Sequence, residues 1–135
     1  MKNFKQAYRY IIQIIPIIII ILEALPYGAI CIFAPNPTER VRKMFSYFNL
    51  IPFGYANFAP LITAVLTCIL LVVVLIASYK NDSINMTNVF ILSFVTTIIS
   101  LLPITLGFEY YSTIGIIITI CLAIETIILK VVKFN

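Results

Sequence analysis

Residues 58–79 read FAPLITAVLTCILLVVVLIASY, a run with no charge whose centre, 65–77, is nearly all leucine, isoleucine and valine. As a helix rising about 1.5 Å per residue it spans roughly 33 Å, the thickness of a hydrocarbon core. That one segment decides the class. A helix so evenly apolar has no polar face to turn toward water, so a bilayer is its solvent.

Working outward, residues 88–106 and 113–132 are apolar runs of spanning length. Only Gly107-Phe108-Glu109-Tyr110-Tyr111-Ser112 separates them, and so short a turn predicts antiparallel neighbours. Upstream, 11–33 makes a fourth span, entered from the basic tail Lys2, Lys5 and Arg9, with Tyr8 and Tyr10 where an aromatic belt is expected. Pro16 removes one backbone hydrogen bond and predicts a bend. A signal peptide is the competing reading of this run. No small-x-small cleavage site follows it, however, and Gly28-Ala29-Ile30-Cys31 lacks the leucine-like residue of a lipobox, so retention is expected. The prediction is an all-α membrane protein, one domain over 1–135, with four transmembrane helices in an antiparallel bundle.

Composition agrees. The chain is 62% hydrophobic and 10% charged, against roughly 45–50% and about 25% for soluble domains. Lysine and arginine bookkeeping sets the orientation. With the N-terminus inside, Lys2, Lys5, Arg9, Lys80, Lys130 and Lys133 are cytoplasmic and Arg40, Arg42 and Lys43 are outside, so both termini are expected in the cytoplasm. The sequons Asn81-Asp82-Ser83 and Asn85-Met86-Thr87 then also face the cytoplasm. The net charge of +4 points to topology and anionic lipid headgroups, not to nucleic acid. Abundant isoleucine, asparagine and lysine suit an AT-rich bacterial genome, hence a bacterial inner membrane.

The stretch 34–57 is the longest outside the spans. Pro35-Asn36-Pro37 stops the first helix. Thr38 is a candidate N-cap, and Val41, Met44, Phe45 and Phe48 recur at i, i+3, i+4 and i+7, predicting an amphipathic interfacial helix over 38–48. Glu39 and Lys43 make an i, i+4 pair. Arg40, Arg42 and Lys43 are the candidate lipid-phosphate contacts. The aromatic stretch 50–58 is expected to cap the bundle as a re-entrant or surface-lying segment.

Polar groups at membrane depth are the candidate site. Glu23 and Glu125 interrupt apolar runs, at a cost of about 2.5–3.5 kcal/mol for a charge near the bilayer centre. Counted from residue 11, Glu23 lies about 18 Å above the cytoplasmic edge; counted from residue 132, Glu125 lies about 10 Å above it. Tyr27, one helical turn beyond Glu23, is its candidate hydroxyl donor. Apart from Lys130 near the end of the fourth run, no lysine or arginine lies inside the spans to pair with either acid. Ser93, Thr96, Thr97 and Ser100 form a hydroxyl stripe, of which Ser93, Thr97 and Ser100 are candidate polar lining. Thr63, Thr67, Thr119 and Thr126 offer further hydroxyls for helix packing. Cys31, Cys68 and Cys121 stand apart, with no CxxC and no histidine, so no metal site and no cofactor are expected.

Four short helices with Glu23 in the first resemble the small multidrug resistance exporters, a likeness that implies alternate proton and cationic-drug binding at Glu23. It covers topology and that glutamate; Leu22-Glu23-Ala24-Leu25-Pro26 and the long outer loop depart from the family. Asn49-Leu50-Ile51-Pro52-Phe53 is similar to a short stretch of VanZ-like membrane proteins, over those five residues alone. The acidic and asparagine motif expected in that family's later helices is missing, and no family is assigned.

The leading expectation is thus a non-catalytic accessory or interaction subunit, with a membrane-protein partner or as a homo-oligomer. A small proton- or cation-coupled transporter using Glu23 comes second. A membrane enzyme or binder of phosphate-bearing lipid comes third, because no residue set resembles a nucleophile with its base.

Overall fold

The computed structural model describes residues 2–80 and 83–134, with side chains over 6–80 and 86–131. Asn81 and Asp82, and the side chains of Lys2, Lys5, Ser83, Asn85 and Lys133, lie outside that description. The described elements are α1 (Lys2–Ala24), β1 (Ala29–Asn36), β2 (Glu39–Phe45), α2 (Leu50–Gly54), α3 (Ala59–Lys80), α4 (Ser83–Ser100), α5 (Pro103–Leu106), a 3-10 turn (Phe108–Tyr110) and α6 (Thr113–Phe134).

Four helices are long and apolar enough to cross a membrane, over Gln6–Ala24, Ala59–Lys80, Met86–Leu106 and Thr113–Val131. They pack in a ring: α1 lies against α3 and α6, α3 against α4, and α4 against α6. Ile12, Ile19, Leu70, Val74, Val89, Ile118, Leu122 and Leu129 close the middle. Ile14, Ile21, Val72, Ile98, Ile120 and Ile127 point outward and stay exposed. Apolar side chains on both the inner and outer faces of every span are what a lipid solvent requires. The molecule is a small multi-pass integral membrane protein.

Two expectations are corrected. The first helix ends at Ala24, not at 33, so Glu23 sits in its last turn instead of mid-span. Pro26 explains the stop: proline lacks the N–H a helix needs and disfavours helix at the residue before it. The helix does continue through Pro16.

Second, 38–48 is not an interfacial helix. Residues Glu39–Phe45 are a strand paired antiparallel with β1, Ala29 opposite Phe45 and Phe33 opposite Val41. The chain reverses at Pro37-Thr38, and the Asn36 amide donates to Glu39 Oε2 at 3.2 Å. Glu39 is thereby engaged across the turn instead of along a helix to Lys43. An isolated helix of eleven residues is marginal, whereas Ile30, Ile32 and Phe33 suit a strand that leaves the bilayer already anchored.

The hairpin is buried at its root and exposed at its tip. Ala29, Ile30 and Cys31 are buried, while 35–44 are exposed. The root is tied on three sides. Gly28 N–H donates to the Phe45 carbonyl at 3.1 Å and Tyr47 N–H to the Glu23 carbonyl at 2.9 Å. Ser112 Oγ donates to the Gly28 carbonyl. The Asn57 amide donates to the Ile30 carbonyl at 2.9 Å. The stretch 50–58 forms the short helix α2, its first turn capped by Asn49 Oδ1 accepting from Ile51 N–H at 2.9 Å.

Candidate functional site

Beneath the hairpin root lies Glu23, fully buried. Thr67 of α3 donates its hydroxyl to Glu23 Oε1 at 2.9 Å. The same hydroxyl lies 2.8 Å from the Thr63 carbonyl one turn away. Glu23 Oε2 has no partner, and neither does the hydroxyl of buried Thr63. Thr63 and Thr67 are four apart on α3 and share the face turned to the acid. The corner between α1 and α3 therefore holds a carboxyl, two hydroxyls and unused hydrogen-bonding capacity, with no basic side chain bonded to the acid among the described residues.

Tyr27 does not take part. Because α1 ends at Ala24, Tyr27 leaves the helical face of Glu23 and is 58% exposed. The tyrosine at this site is Tyr47, which is 2% exposed and lies against Gly28 and Gly115. Burial pushes its phenol well above the ordinary tyrosine range, with smaller contributions from Tyr111 and Glu23. Tyr47 remains neutral and roofs the corner. Burial likewise raises the Cys31 thiol and the Tyr111 phenol, the latter partly offset by its hydrogen bond to Thr119.

Glu125 stands apart, twelve residues along α6 from Thr113, or about 18 Å of helix. It too is fully buried, and neither carboxyl oxygen has a hydrogen-bond partner. No hydrogen bond joins it to Glu23 among the described residues.

The hydroxyl stripe on α4 meets α6, not an acid. Ser93 Oγ lies 2.7 Å and Thr97 Oγ1 3.2 Å from Thr126 Oγ1. Thr97 also donates to the Ser93 carbonyl at 2.8 Å and Ser100 to the Thr97 carbonyl at 2.7 Å. Hydroxyls that bond their own helix and one neighbour pull two helices together.

Arg40, Arg42 and Lys43 are exposed on β2. Strand alternation sends Arg40 and Arg42 to one face and Lys43 to the other, where its Nζ lies 5.9 Å from the Phe33 ring centre. The three cations do not converge as a helical triplet would. No family model, curated protein or solved structure matches the chain.

Proposed function

We propose that this chain is a minimal cation transporter that binds a proton and a cation in turn at Glu23. Its four helices would form an antiparallel bundle in a bacterial inner membrane, with both termini cytoplasmic. The observation that carries this reading is the corner of Glu23, Thr67 and Thr63. Thr67 has one hydroxyl proton and two acceptors within reach. With a proton on Glu23, the acid donates to Thr67 Oγ1 and Thr67 donates to the Thr63 carbonyl, so every short contact is satisfied. A cation replacing that proton finds Glu23 Oε2 and the Thr63 hydroxyl as unoccupied oxygens.

Intramembrane acids that lack a basic partner mark ion and proton pathways more often than they serve packing. This reverses the order of preference that the sequence alone supports. In proteoliposomes carrying an imposed pH gradient, the wild-type protein should move at least one member of a panel of inorganic and organic cations. Glu23→Gln, which keeps size and hydrogen bonding, should insert and elute normally but move none. Equal flux in both proteins, or none in either, removes the transporter reading.

The accessory reading retains one specific support. The sheet has two strands, so β2 carries an outer edge that no third strand covers among the described residues. Exposed strand edges pair with partners unless charge defends them. A stable co-purifying partner from native membranes would favour this reading, and recovery of a lone monomer would count against it.

A further inference from the structure

At the opposite end of the bundle from the hairpin, α1 and α3 part to leave an open groove of about 930 Å³. We propose that this groove binds one anionic phospholipid, its phosphate held between Arg9 and Lys80 and the start of an acyl chain laid on Leu75 and Ile76. The lining supports both halves of that assignment. Arg9 and Lys80 bring two cations, Gln6 and Gln13 add amide donors, and no aspartate or glutamate lines the groove among the described residues. Leu75 and Ile76 are exposed and lie four to five residues back along α3 from Lys80. That separation is about 6–8 Å along the helix, the step from headgroup level into hydrocarbon.

The setting decides the class of ligand. Both walls belong to membrane-crossing helices, so the groove opens to lipid, and an apolar floor beneath two cations is complementary to a charged lipid but not to a free anion. The cations on the hairpin lack such a floor, since Arg40 and Arg42 stand on an exposed strand. Each lysine or arginine near an anionic headgroup contributes about 1 kcal/mol, so two together predict a roughly thirty-fold preference for phosphatidylglycerol over phosphatidylcholine.

Native mass spectrometry of the detergent-purified protein, titrated with each lipid, reads that preference directly. The wild type should retain phosphatidylglycerol selectively. The double variant Arg9→Gln/Lys80→Gln should lose most of the selectivity, whereas Arg40→Gln/Arg42→Gln should keep it. Ile76→Trp fills the floor, preserves both cations, and should reduce retained lipid on its own, so the proposal stays testable if the charge variant folds poorly. Undiminished selectivity in Arg9→Gln/Lys80→Gln together with unchanged retention in Ile76→Trp would overturn the site. So would loss of selectivity in the hairpin variant, or its absence in the wild type.

Discussion

A carboxyl group enclosed by helices must share its proton or its charge with something, and the two buried acids here differ in what they have. Glu23 has Thr67, while Glu125 has no hydrogen-bond partner at either oxygen. Replacing an unpartnered buried polar group with an apolar one of similar volume relieves its desolvation cost of about 1–3 kcal/mol. Glu125→Leu should therefore raise the thermal midpoint in detergent, whereas Thr67→Val should lower stability by about 1 kcal/mol through loss of its hydrogen bonds. A fall in midpoint for Glu125→Leu would mean that its carboxyl is engaged. Gly28 is the other sensitive position. A Cβ there would lie 2.8 Å from Tyr47 Cδ1, and the far end of the same ring packs close to Gly115, where an added Cβ would come 3.1 Å from the Tyr47 hydroxyl. Gly28→Ala should cost about 1–3 kcal/mol by overpacking. Gly54→Ala, with open space around it, should cost far less when followed by the same melt. Both glutamates were legible in the sequence because a charge in an apolar run announces itself. Tyr47 was not: it is one aromatic among many in the outer loop, and its role depends on two glycines distant in sequence.

Among the elements, the spans and the hairpin were legible to different degrees. Apolar length alone identifies α3, α4 and α6, because bilayer thickness leaves few alternatives for such runs. The hairpin was hidden because Val41 and Phe45 fit a helical face at i and i+4 and equally fit one face of a strand at i and i+4. Only the partner strand β1 resolves the ambiguity, and its first five residues continue the apolar run of the first span. Pairing across 29–45 is a non-local event that a window of eleven residues does not contain. The α4–α6 contact is a clearer case, since Thr126 meets both Ser93 and Thr97. Thr126→Val keeps the shape and removes both contacts, and should destabilise the bundle by roughly 0.6–2 kcal/mol in an unfolding titration. No change would assign that contact to shape alone.

For the whole molecule, the hairpin and the turn after α5 share one end. Ala29 bridges to Tyr111, and Gly28 accepts from Ser112. The groove with Arg9 and Lys80 occupies the other end. With the three native cysteines replaced, single cysteines at positions 42 and 109 should react with an impermeant thiol reagent from outside intact cells. One at position 80 should react only after permeabilisation, and labelling of 42 and 80 from the same side would contradict the four-span topology. The central claim, exchange of a proton for a cation at Glu23, is tested most directly without any membrane. Purified protein in weakly buffered detergent should release protons when a transported cation is added, and Glu23→Gln should release none under the same conditions. Proton release of equal size from Glu23→Gln, or none from the wild type with any cation of the panel, would contradict the account.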